Sequence, residues 1–185
     1  MDEENYKKFK EFTSQLALPF QETFQVFLRP IFNVLEDHFG LQKNSDQSFI
    51  DLGAGDGRVV LYVGFHYNIK SVGIEINHNL IEVANESFNR IKKKYPQRNF
   101  NYIQFKHDDM FEYDIRKYDF IYAFSLPTMQ KSMTHILKTA KKGAILIAHK
   151  YPLTICKSLL TQKYKLKHQT KKKPIYTYFY LKSEK

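Results

Sequence analysis

The stretch FIDLGAGDGRVVL, Phe49 to Leu61, reads as an apolar strand that breaks into three alternating glycines and then resumes an apolar pattern. A glycine turn between a strand and a helix can close on a nucleotide, because glycine takes positive φ and lets a ligand approach the main chain. Such turns also serve packing alone. The residues around this one therefore decide what it holds.

The glycines stand at 53, 55 and 57. A dinucleotide fingerprint wants its third glycine at 58, and that residue is Arg58. Asp51 lies just ahead of the turn, and Glu75 closes the next apolar segment, KSVGIE, 18 residues past Gly57. A carboxylate in that place can accept both hydroxyls of a ribose. An acid beside the turn repels a pyrophosphate and suits a cationic or amino-acid-bearing ligand. S-adenosylmethionine carries a sulfonium and an ammonium, so the loop favours a nucleoside without phosphates.

Working outward, the pattern alternates strand and helix. Strands are expected at Phe49–Asp51, Lys70–Glu75, Asn101–Phe105, Phe120–Phe124 and Ala144–His149. Helices are expected from about Arg58 to Tyr67, from an Asn77 cap to Tyr95 ahead of Pro96, and from about Thr128 to Thr139. Pro152–Leu160 reads as one more helix, and Tyr164–His168 and Ile175–Leu181 as a closing antiparallel hairpin. Strands spaced by helices argue for right-handed crossovers. The expected fold is α/β: a Rossmann-like, mostly parallel sheet with an antiparallel last strand and helices on both faces. Residues 1–45 read as an N-terminal helical extension before a domain at 46–185. Phe24, Phe27, Leu28, Ile31, Leu35 and Phe39 recur at helical spacing, with Pro30 opening a second helix or kinking a continuous one.

The chain has 185 residues and a net charge of +10, with 24 Lys against 5 Arg. Arginine, not lysine, suits bidentate phosphate and base recognition, so the excess reads first as a solvated surface and second as a nucleic-acid surface. Cys156 is the single cysteine, sits in an apolar segment, and reads as a core residue of a protein in a reducing compartment. No apolar run approaches the roughly 18 residues of a membrane span, and MDEENYKKFKEF lacks a signal-peptide core. A cytoplasmic monomer without a membrane span is expected.

FIDLGAGDGRVVL, then GIEIN, then HDDMF after the third strand, resemble in order the motifs of class I S-adenosylmethionine-dependent methyltransferases. The resemblance covers about residues 46 to 181 and implies a seven-stranded sheet. It implies S-adenosyl-L-methionine as cofactor, with Asp51 and the turn Gly53, Ala54, Gly55, Asp56 and Gly57 around its methionine part. Glu75 is then the ribose ligand and Ile76 packs on the adenine. Asp109, followed by Met110, aligns with the residue that bonds the adenine amino group, although Asp108 stands where glycine is usual. The adjacent carboxylates give little support for a metal site, and none is expected.

After the fourth strand comes Phe124-Ser125-Leu126-Pro127, which departs from the Asn/Asp-Pro-Pro-Tyr/Phe of enzymes that methylate base amino groups or glutamine. YDFIYAFSLPTMQKSMTHILKTAKKGAILIAHKYPL is similar to small protein-lysine methyltransferases of archaeal and mitochondrial type. Leu18-Pro19-Phe20 resembles the aromatic segment that such enzymes place over the cofactor, although Gln21-Glu22 depart from the pattern. The resemblance implies a protein substrate methylated on lysine side chains, with Phe20 and Ser125 against the cofactor. Ser125, Tyr122 and His149 are the candidate catalytic residues; Tyr122 and Phe124 can equally be core, and His149 a structural histidine. An RNA or small-molecule acceptor is the alternative. Lys171–Lys173 reads as a solvated turn or as a contact with an acidic protein, RNA or an anionic membrane surface.

Overall fold

The structure, a computed structural model, describes residue 23, residues 25–124 and residues 126–183. Helix α1 (Gln25–Phe39) precedes strand β1 (Ser48–Leu52), helix α2 (Arg58–Tyr67), strand β2 (Lys70–Glu75) and helix α3 (His78–Lys94). Strands β3 (Ile103–His107) and β4 (Phe120–Ala123) follow, then a 3-10 turn at Pro127–Met129, helix α4 (Gln130–Thr139) and strand β5 (Ile145–His149). Strands β6 (Leu160–His168) and β7 (Ile175–Lys182) close the chain as a hairpin.

The seven strands form one sheet in the order β3-β2-β1-β4-β5-β7-β6. The first five pair in parallel, and β7 inserts antiparallel between β5 and β6. This is the expected Rossmann-like architecture. Because β1 and β4 are neighbours whose crossovers diverge, a crevice opens at their carboxyl ends, where ligands bind in open α/β sheets.

Both sheet faces are covered, so the central strands carry unbroken burial and cannot alternate polar and apolar residues. On one face Phe49, Phe120, Ile145, Ile147 and Phe179 pack with Val60 and Val63 of α2 and with Phe27, Leu28, Ile31, Phe32 and Leu35 of α1. On the other, Ile50, Leu52, Ile121 and Leu146 meet Met133, Ile136 and Leu137 of α4. Helix α1 runs continuously through Pro30. The carbonyl that Pro30 leaves without a helical partner belongs to Val26, which is 72% exposed and within reach of water.

Several expectations need correction. Pro152–Leu160 is not a helix but a series of turns. Leu153, Cys156 and Leu159 still bury at a spacing of three, and Gln130 pins the segment to α4 by donating to the Pro152 carbonyl at 2.7 Å. The third strand runs Ile103–His107, two residues later than expected at both ends, because a turn closed by Ile103 N–H on the Phe100 carbonyl at 3.0 Å takes up Asn101 and Tyr102, and Ile103 then fills the space left by Gly64. A Cβ at Gly64 would lie 2.3 Å from Ile103 Cδ1. Strand β6 begins four residues earlier than expected, since a bulge between Gln162 and Tyr164 hides its alternation.

Candidate active site

The glycine turn is stapled to the end of β2. Gly53 and Ala54 N–H both donate to the Ile74 carbonyl at 2.9 Å, and Gly57 N–H donates to the Ala54 carbonyl at 2.9 Å. Gly53, Gly55 and Gly57 have φ of 82°, 55° and 78°, the left-handed region that side chains resist. At Gly57 the absence of a side chain is also steric, for a Cβ would lie 2.6 Å from the Phe105 ring and 2.8 Å from Ala84 Cβ. The sequence thus forces a tight turn at the start of α2, with its amides spent on the Ile74 and Ala54 carbonyls and the Glu75 and Asp56 carboxylates.

Three carboxyl groups converge on this turn. Asp51, 2% exposed, is the penultimate residue of β1, beside Tyr122 in the β1–β4 register, and has no hydrogen-bonded partner among the described residues. Burial raises its pKa well above the usual carboxylate range, and the charges of Glu75 and Asp56 raise it further. Glu75 Oε2 accepts from Gly55 N–H and Oε1 from Asn77 N–H, each at 2.9 Å. Asp56 pairs with Arg58, whose Nε donates to both of its oxygens at 2.9 Å.

Beyond β2 the chain turns through Ile76, which is 63% exposed. Asp108 N–H donates to the Glu75 carbonyl at 3.1 Å, bringing the HDDMF segment alongside. Asp109 Oδ1 accepts from Phe111 N–H at 2.9 Å, which fixes the turn and leaves its second oxygen for a ligand. Met110 Sδ lies 3.9 Å from where a Gly53 Cβ would stand, so the thioether faces the glycine turn.

At the ends of β4 and β5 the rim is aromatic. Phe124 lies 5.6 Å from the His149 ring and 6.2 Å from the Tyr151 ring, centroid to centroid. Lys150 Nζ sits 5.5 Å from the Phe124 centroid and 5.3 Å from that of Tyr151. His149 is buried, and its Nδ1 is 2.8 Å from Thr177 Oγ1. Burial, then the neighbouring His168 and Lys150, push its pKa down to about 3, so the imidazole is neutral. Tyr122 stands deeper, with its hydroxyl 2.7 Å from Thr23 Oγ1; burial raises its pKa above the phenol range.

Asp51, the glycine turn with Asp56, Glu75, Ile76, Asp109 and Met110 are thus gathered along the β1–β2–β3 edge. Tyr122 and His149 stand across the crevice on β4 and β5. Phe20 and Ser125 lie outside the described residues. Sequence reasoning missed His168 and Thr177, whose side chains bond at 2.8 Å behind His149. Thr177 is polar on the buried phase of an aromatic strand, and that was the available signal.

Sheet order, glycine turn and the acid at the end of β2 together define a class I S-adenosylmethionine-dependent methyltransferase fold. The ANTKMT methyltransferase domain matches residues 51–159, and the chain belongs to that family. A comparison with curated protein sequences finds no match. Among solved structures, the chain is similar to an RNA methyltransferase from Salinibacter ruber in complex with S-adenosyl-L-homocysteine. That likeness has a TM-score of 0.71 at 18% identity over 89% of this chain and 95% of that one. It is also similar to the magnesium protoporphyrin IX methyltransferase ChlM from Synechocystis with bound cofactor (TM-score 0.67, 12% identity, 97% of this chain and 94% of that one). A sarcosine dimethylglycine methyltransferase proposed from Galdieria sulphuraria gives 0.66 at 11% identity over 85% and 86%. At these identities the likeness is one of fold.

The cofactor is S-adenosylmethionine, and the site suits it. A buried carboxyl without a hydrogen-bonded partner, beside two further acids, is costly until a cation arrives. The exposed Ile76 offers an apolar face for a base. Among the described residues no helix is long and apolar enough to cross a membrane.

Proposed function

We propose that this chain methylates lysine side chains of proteins by direct in-line displacement. The observation that carries the reading is Lys150, whose ammonium rests 5.5 Å from Phe124 and 5.3 Å from Tyr151 at the acceptor rim. Aromatic faces attract an ammonium whether or not it is methylated, so the same pair of rings can receive a substrate lysine.

In the proposed assignment, Asp51 and the turn 53–57 hold the methionine part of the cofactor, Glu75 the ribose, and Ile76, Asp109 and Met110 the adenine. Bound there, S-adenosylmethionine supplies an electrophilic methyl group on a sulfonium. Phe124 and Tyr151 then steer the acceptor amine toward it, and such positioning supplies much of a displacement rate. The amine must lose a proton to attack. Water takes that proton before the amine enters, and His149, neutral and bonded through Nδ1 to Thr177, lines the rim without adding a charge. Phe20 and Ser125, outside the described residues, complete the proposal as cofactor contacts.

An RNA acceptor is the second reading. The lysine excess over arginine and acid in the second half of the chain favours a polyanion, and the Salinibacter ruber relative is an RNA methyltransferase by description. Incubating the protein with methyl-labelled cofactor, separate protein and RNA pools, and nuclease or protease treatment distinguishes the two. Label that survives nuclease and is released by protease supports lysine.

A further inference from the structure

We infer that the β6–β7 hairpin and the end of β5 form a docking surface for an acidic polypeptide that carries the acceptor lysine. The inference rests on the lysine reading above and adds what surrounds that lysine.

Charge is divided across the crevice. From Phe120 to Ser183 the chain holds thirteen lysines and no Asp, Glu or Arg. Asp51, Asp56, Glu75, Asp108 and Asp109 all belong to the opposite half, on and around β1–β3. The cofactor side is therefore acidic, as a sulfonium requires, and the acceptor side is basic.

The lysines stand where an acceptor must approach. Strand β7 runs antiparallel to β5, and His149 is in register with Thr177. The turn that carries Lys171, Lys172 and Lys173 is therefore at the same sheet end as His149, the end at which β1 and β4 deliver the cofactor site. The Lys150 N–H donates to the Tyr176 carbonyl at 2.8 Å, joining the hairpin to the aromatic rim. Lys165 and Lys167 pair in register with Tyr178 and Tyr176, so these four side chains share one sheet face. Lys165 Nζ lies 4.1 Å from the Tyr176 centroid.

Edge strands carry lysine to resist pairing with other chains, which accounts for Lys163, Lys165 and Lys167 on the outermost strand. It does not account for Lys171–Lys173, nor for the lack of any acid to offset them. Solvated surfaces ordinarily intersperse both signs. Among the described residues, none of Lys163, Lys165, Lys167, Lys171, Lys172 and Lys173 pairs with a carboxylate, whereas Lys141 pairs with Asp119. The chemistry missing from the surface is a set of carboxylates.

A polypeptide fits better than RNA on two grounds. The face has no arginine for bidentate phosphate contact. The Tyr176 ring is covered by Lys165, which takes the face a base would stack on. The basic rim also lowers the pKa of an arriving lysine by like-charge proximity, favouring the neutral amine that reacts. Carboxylates flanking that lysine hold it against the repulsion.

The test uses three synthetic peptides with one central lysine flanked by glutamates, by glutamines or by lysines, together with an unstructured RNA, each with labelled cofactor. The glutamate-flanked peptide is expected to show kcat/KM about tenfold or more above the glutamine-flanked one, falling with added salt. The triple variant Lys171→Gln, Lys172→Gln, Lys173→Gln is expected to lose most of that preference while binding S-adenosylhomocysteine as the parent does, which shows that it folds. Methylation of all three peptides alike overturns the docking surface and leaves the lysine acceptor standing. Methylation of the RNA with none of any peptide overturns both.

Discussion

Glu75 Oε2 accepts the Gly55 N–H at 2.9 Å, tying the end of β2 to the glycine turn after β1. One carboxylate thus holds the turn in shape, and in the proposed assignment its remaining lone pairs bind the ribose. Glu75→Ala removes both functions, and Glu75→Gln retains only an amide oxygen that can accept from one of the two N–H donors. Affinity for S-adenosylhomocysteine is expected to fall by about a hundredfold for Ala and by less for Gln, at about 1–3 kcal/mol for each lost hydrogen bond to a charged group. Titration calorimetry reads the order directly.

Asp51 separates stability from binding. Its folded pKa is raised, first by burial and then by Glu75 and Asp56, so the folded state takes up protons that the unfolded state releases. Without a ligand, stability should therefore fall as pH rises from the ordinary carboxylate range through the raised folded pKa, and stay low above it. Asp51→Asn removes the buried charge. The ligand-free variant is expected to melt higher than the parent at pH 7 while losing cofactor affinity, as differential scanning calorimetry and calorimetric titration will show.

Gly57 and Gly143 make a controlled pair. Both have positive φ, 78° and 82°, but a Cβ at Gly57 meets Phe105 and Ala84 whereas one at Gly143 meets nothing within 4 Å. Gly143→Ala should cost about 1 kcal/mol from backbone strain alone. Gly57→Ala adds overpacking of typically ~1–3 kcal/mol, and it should weaken cofactor binding as well. Urea denaturation of the two variants gives the difference.

The two histidines behind the rim set an acid limit. His149 is pushed down to about 3, and His168 is also lowered by burial. His149 stays neutral when folded, and His168 binds a proton less readily folded than unfolded, so their contribution is complete above the unfolded value near 6.5 and is lost as pH falls below it. Melting temperature should drop between pH 7 and pH 5, and His149→Gln should flatten that slope. Thr177→Val, which leaves His149 Nδ1 without its partner, should lower kcat more than it raises KM, with Thr177→Ser restoring activity.

The end of β2, on which Glu75 stands, was legible because its signals are local. β2 falls at Lys70–Glu75 as its residues predict, and Asn77 caps α3 by accepting from Asn79 N–H at 3.0 Å. What escaped were features fixed by distant partners. The bulge at Lys163 has no signature until β6 pairs with β7. The bonding of His149 and His168 to Thr177 joins residues 28 and 9 positions apart. The false helix at Pro152–Leu160 came from apolar spacing that tight turns satisfy equally well, once Gln130 captures the Pro152 carbonyl. Acceptor specificity was fainter still, because the surface proposed for it is assembled from strands that meet only after folding.

The central claim is lysine methylation, and the most direct measurement is mass spectrometry of proteins and RNA after incubation with methyl-deuterated S-adenosylmethionine. The account predicts deuterated methyl-lysine in proteolytic peptides and unlabelled nucleosides. Deuterated methyl-nucleosides with no labelled lysine would contradict it.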